Sequence, residues 1–351
     1  MTTIVVRRRG LSQPTVHPTS LRLTLTSFGV ERQDGIRRGR LTAPKGWAVE
    51  SPTPLAWFIS PDVAHLNVDA PAMIRLELEY DDSSRRQFSR SVTIELDLQT
   101  TFALDPHAFP ERNSAAVIGE VGPGIEPFQD TFDWLPGPLA GALFRGLYAD
   151  IVQLRRSGSH RGGLCSGMAR WAGLRALAGD TEMPERDEAL RQITTLHGRQ
   201  LTDRALLKSF GWFVKASPRA AYRAIRDDSL ATGQTLRALD VGVPKPWRRD
   251  LAKAIIREGH TIVPFAIRQP SPTRAYVDCY DPNRGRETHT IQFHLDTNRY
   301  SYRNKVSIDD GNVGLIAVPH EAYSRKGSAI LATLGSMFWV MLGPGRRRQQ
   351  S

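Results

Sequence analysis

Only two cysteines, Cys165 and Cys279, occur in 351 residues. So few exclude the disulfide framework that braces small secreted domains, and nothing in the chain requires the two to pair. A secretory leader is not expected either. Met1–Arg9 places Arg7, Arg8 and Arg9 after a very short apolar run, the wrong order and length for a signal. The expected setting is cytoplasmic and reducing, which keeps thiols available. No internal repeat or low-complexity tract is evident, so a repeat array is not the architecture. The longest apolar stretch, Ser328–Gly343, is shorter than the roughly 20 residues a spanning helix needs. It reads as a C-terminal helix or strand packed on the core. The basic end Arg346-Arg347-Arg348 leaves that tail as the one route to a membrane contact.

Acidic residues are outnumbered, 36 against 47 basic ones, for a net charge of +11. Nucleic acid is one partner such a balance suggests. Its distribution argues against that: arginines are spread along the chain, with short clusters at Arg7–Arg9, Arg37-Arg38 and Arg346–Arg348. No zinc-finger, RNA-recognition or basic-helix motif accompanies them. The hydrophobic share of 40% and charged share of 24% are those of an ordinary globular protein, long enough for two cores.

The N-terminal third reads as β. Ile74, Leu76, Leu78 and Tyr80 alternate with Arg75, Glu77 and Glu79, and Val92, Ile94, Leu96 and Leu98 alternate again after a turn at Asp81–Ser84. Leu21, Leu23 and Leu25 form a further set, and Trp57-Phe58-Ile59 adds a strand. Pro44, Pro52, Pro54, Pro61 and Pro71 mark turns. These features predict a β-sandwich-like accessory domain over residues 1–120. A Gly/Pro-rich joint from Gly119 to Pro127 follows. Helices are predicted over 139–155, from Cys165 to Ala178, and over Glu185–Leu196, Asp203–Val214 and Pro246–Arg257. Strands are predicted at Thr261–Ile267, Ala275–Tyr280, Thr288–Phe293 and Val313–Val318. The predicted class is α+β, with a second domain over 128–325 and an apolar, then basic, tail over 326–351.

Chemistry concentrates at Gly163-Leu164-Cys165-Ser166-Gly167-Met168. A cysteine in the first turn of a helix feels the partial positive charge of unpaired N–H groups, which favours the nucleophilic thiolate. The Cys165 and Ser166 amides could also hold an oxyanion. Downstream, Gly259-His260 opens an apolar strand, a rigid mount for a general base. Tyr280-Asp281-Pro282-Asn283 ends a neighbouring strand, where Asp281 could fix the imidazole tautomer and Asn283 is the alternative. Cys279, within that strand, reads as core.

These segments together resemble the papain-like cysteine peptidase superfamily, in its bacterial form akin to bacteriocin-processing peptidases. Gly198-Arg199-Gln200 and Leu239–Pro244 resemble connecting motifs of the same proteins. The resemblance covers about residues 128–320. It implies a two-lobed papain-like domain, Cys165 as nucleophile, His260 as base, Asp281 (or Asn283) as orienting residue, and a peptide or protein substrate with no cofactor or metal. One departure stands out. Papain-like enzymes place an oxyanion-hole Gln several residues before the nucleophile, where this chain reads Ser157-Gly158-Ser159-His160-Arg161, with Gln153 and Gln129 further upstream. A thiol hydrolase cleaving a peptide or amide bond is the leading expectation. An inactive papain-like scaffold and a basic nucleic-acid or membrane-surface binder are the alternatives.

Overall fold

The computed structural model describes residues 3–8, 21–31, 35–62, 72–80, 88–113, 129–134, 164–214, 217–243, 260–302, 305–306, 314–331 and 333–334. The joint at Gly119–Pro127, the Asp81–Ser84 turn, the predicted helices over 139–155 and Pro246–Arg257, and the tail beyond 334 lie outside them. The chain opens with strands β1 (Thr3–Arg8), β2 (Leu21–Thr24), β3 (Ile36–Thr42), β4 (Trp47–Thr53), β5 (Ala56–Pro61), β6 (Ala72–Tyr80) and β7 (Phe88–Gln99). One turn of helix, α1 (Leu104–His107), and β8 (Phe132–Trp134) follow. Four helices come next: α2 (Cys165–Ala178), α3 (Arg186–Gly198), α4 (Asp203–Val214) and α5 (Pro218–Thr232). The remaining strands are β9 (Arg237–Val243), β10 (His260–Ser271), β11 (Arg274–Tyr280), β12 (Thr288–His294), β13 (Arg299–Tyr302), β14 (Lys305–Val306), β15 (Gly314–Pro319) and β16 (Gly327–Ser328). The protein is a mixed α and antiparallel-β structure.

Among the described residues, one sheet of eleven strands runs through most of the chain. Its spine is β14-β13-β12-β11-β10-β7-β6-β3. β10 is long enough to serve two neighbours on one edge. Its first residues, His260–Ile262, pair with β9, and Ala266–Arg268 pair with the end of β7. The N-terminal strands and those that carry His260 are thus hydrogen-bonded into one sheet.

Side-chain alternation explains which face is buried. Ile74, Leu76 and Leu78 of β6 point inward, while Arg75, Glu77 and Glu79 face out. Arg40 and Arg38 of β3 sit opposite Glu77 and Glu79, cross-strand charge pairs that suit an exposed face. A separate three-stranded sheet, β2-β5-β4, lays Leu23, Trp57 and Ile59 onto this inner face. The same cluster continues through Tyr222 of α5 to Val277, Ile291 and Phe293 of β11 and β12. A second cluster surrounds α2, joining Met168, Trp171 and Ala172 to Ile193 of α3, Val263 of β10 and Val318 of β15. Phe102 and Phe109, assigned by sequence to the accessory region, belong to this second core.

At the C-terminus, β16 pairs with β8 in parallel. Asp203 then accepts hydrogen bonds from the backbone amides of Ile330 and Leu331, and Ala329 and Thr333 are buried. No helix among the described residues is long and apolar enough to cross a membrane.

Candidate active site

α2 runs from Cys165 to Ala178 and is capped by Gly179, whose left-handed backbone (φ 70°) lets the amides of Gly179 and Asp180 reach the carbonyls of Ala176 and Arg175. The helix is buried on nearly every side and lies between α3 and β10. Gly167 makes the close approach to α3 possible: a Cβ there would lie 2.2 Å from the Ile193 carbonyl oxygen. The first intrahelical bond, from the Met168 amide to the Leu164 carbonyl, leaves the Cys165 and Ser166 amides without intrahelical acceptors. Ser166 is buried and Cys165 is half-buried, so the thiol sits at the rim of the packed core.

His260 is the first residue of β10, and Asp281 follows the last residue of β11. The antiparallel register Val263↔Tyr280 carries both to one end of the strand pair. There His260 Nε2 lies 2.7 Å from Asp281 Oδ1. Asp281 is fully buried and caps the short turn Pro282–Arg284, its Oδ1 also accepting the Asn283 amide at 2.9 Å. Its second oxygen, Oδ2, accepts the hydroxyl of Tyr302 from β13. The same imidazole is hydrogen-bonded to the Cys165 thiol.

The electrostatics of the pair follow from these partners. Burial pushes the Cys165 thiol up, but the hydrogen bond and charge of His260, with the Thr261 backbone amide, bring it below its ordinary value. Asp240 opposes them. Burial pulls the His260 imidazole down, yet bonds to Asp281 and Cys165 and their charges raise it to about 9. The two shifts act in one direction: each favours the charged form of its group, thiolate for Cys165 and imidazolium for His260. Cys279 is the contrast. Burial in β11, with the charges of Asp278 and Asp281, pushes its thiol well above the ordinary value.

The sequence-derived trio Cys165, His260 and Asp281 is brought together in space. Asn283 is adjacent rather than equivalent: its Nδ2 is 3.5 Å from His260 Nδ1, a long contact, while Asp281 holds Nε2 closely. Gln129 is exposed and next to Asp130, which pairs with Arg191; Gln153 lies outside the described residues. Arg199 of the Gly198-Arg199-Gln200 motif ties three carbonyls, those of Asp130, Tyr323 and Ser324, a structural staple away from the thiol. Asp240 of the Leu239–Pro244 motif closes the floor of the site. It accepts two bonds of 3.2 Å from the fully buried Arg170 and one of 2.8 Å from the Thr261 hydroxyl. No group of three or more His, Cys, Asp or Glu side chains set to hold a metal ion occurs among the described residues.

Sequence reasoning missed two contributors. Tyr302 alternates with Tyr300 like any strand-core aromatic, so nothing marks it as the donor to Asp281. Asn113 lies 51 residues before Leu164, yet its Oδ1 accepts the Leu164 amide at 2.8 Å. Its Nδ2 donates to Asn283 Oδ1 at 2.7 Å, and its own amide donates to the Pro282 carbonyl at 2.8 Å. Comparisons with models of protein families, with curated proteins and with solved structures gave no match.

Proposed function

We propose that the protein is a thiol hydrolase of papain-like type, acting on a peptide or amide bond through Cys165, His260 and Asp281. The observation that carries this reading is the single imidazole bonded on one side to a half-buried thiol at a helix start and on the other to a buried carboxylate. The order of the three residues in the chain and the resemblance described above agree with it.

In this reading the Cys165 thiolate attacks the carbonyl carbon, and the oxyanion is held by the Cys165 and Ser166 amides at the N-terminus of α2. The imidazolium of His260 gives its Nδ1 proton to the leaving amine, and a thioester remains on Cys165. Water, deprotonated by His260, then releases the acid and restores the thiol. Asp281 keeps Nε2–H in place throughout.

An activated ester tests this directly. It is expected to give a burst of leaving group and a one-acyl mass increase on Cys165, absent in Cys165→Ala. His260→Ala is expected to slow acylation by about 10²–10⁴-fold. The rate should rise with pH as the lowered thiol ionises and fall as pH passes about 9, where His260 loses its proton. No acylation of Cys165 across that range would sink the hydrolase and leave the scaffold reading.

A further inference from the structure

We infer that Asn113 is a positioning residue for the Cys165–His260 pair, a role that rests on the thiol-hydrolase reading. The two halves of the site sit on separate elements. The nucleophile starts α2, whereas the base and its carboxylate end two strands of the sheet. Their separation has to be held closely, because an error of about 1 Å between reacting groups can cost about 10²-fold in rate.

Asn113 spans that gap with three bonds. On the helix side, its Oδ1 takes the Leu164 amide, the N–H immediately before the nucleophile. On the strand side, its Nδ2 reaches Asn283 Oδ1, and its backbone amide reaches the Pro282 carbonyl. Pro282 and Asn283 belong to the turn that Asp281 caps. The carboxamide is suited to this work because it offers one acceptor and two donors from a single plane. Its acceptor faces α2 and its donor faces the turn.

On the strand side the carboxamide is anchored by its Nδ2 donating to Asn283 Oδ1. Its bond also orients Asn283: because Oδ1 of Asn283 is taken, the Nδ2 side is left facing His260 Nδ1. Asn113 therefore acts on the pair through its neighbours, and touches neither the thiol nor the imidazole.

The test is the pH dependence of Cys165 alkylation by iodoacetamide in the full-length protein, read by site-resolved mass spectrometry beside the urea midpoint. Asn113→Ala is expected to move the alkylation midpoint upward by about one pH unit, making labelling about tenfold slower below it. Asn113→Asp, which keeps the acceptor for Leu164, should recover part of the shift. Asn283→Ala cuts only the strand-side bridge and should also raise the midpoint, which serves if Asn113→Ala does not fold. A lower urea midpoint with an unmoved alkylation profile overturns the positioning role, since a purely structural residue gives that result. If the wild-type profile is itself that of a free thiol and ignores His260→Ala, the hydrolase reading and this inference fall together.

Discussion

The carboxylate of Asp281 is the most constrained group at the site, fully buried and held by His260, the Asn283 amide and Tyr302. A buried carboxylate survives only when its lone pairs are matched by donors, so each donor has a measurable worth. Tyr302→Phe removes one hydroxyl while keeping the ring that packs against His289. Losing the Tyr302 bond should cost about 1–3 kcal/mol of stability, seen as a lower urea midpoint, and should slow acylation of Cys165. An unchanged midpoint would show that the hydroxyl carries no load. At this scale the sequence singled out the three residues that meet and was silent about their supports. Cys165, His260 and Asp281 are marked by glycines, strand ends and residue type. Asn113 and Tyr302 are marked by nothing local, because their roles exist only through contacts with distant parts of the chain.

Element by element, legibility followed the strength of the local pattern. α2 runs from Cys165 to Ala178 as the Gly163–Gly167 segment and Gly179 suggest, and α4 spans Asp203–Val214 as its periodicity predicts. β6, β10, β11 and β12 coincide with alternating or continuous apolar runs, their ends moved by a few residues. Some elements lay outside the expectations. β3 carries Arg37, Arg38, Gly39 and Arg40, and its pairing partners rather than its own apolar residues hold it. β4 is exposed along almost its whole length. α5 buries Ala221, Tyr222, Ile225 and Ser229 at helical spacing, and its caps are readable too: Ser217 accepts from the Ala220 amide, Pro218 opens the helix, and Gly233 closes it with φ 70°.

For the molecule as a whole, the consequential feature is the junction of β7 with β10. The pairs Gln99↔Ala266, Leu98↔Ile267 and Asp97↔Arg268 bond the N-terminal strands to the strand that begins with His260. Core residues cross the same junction, with Ile74 and Leu98 in one cluster with Val277 and Phe293. Composition suggested a joint near residue 120. Yet upstream of it Phe102 stacks on Phe265 and Tyr280, Phe109 meets Trp171 of α2 edge-on, and Asn113 bonds to Leu164 just before α2. Such long-range packing leaves no periodic trace in a sequence. It predicts joint unfolding: amides of β6 and of α2 should exchange with deuterium with the same free energy and the same urea dependence. Opening of β6 at lower urea than α2 would mean that the shared sheet does not couple them.

If His260 turns Cys165 into a thiolate, the pH dependence of iodoacetamide labelling at Cys165 has to show it. In wild type, labelling should stay fast well below the pH at which a free thiol of pKa about 8.5 ionises. In His260→Ala it should become slow there and rise only near that value. Slow labelling in wild type, with a profile that the substitution leaves unchanged, would contradict the account.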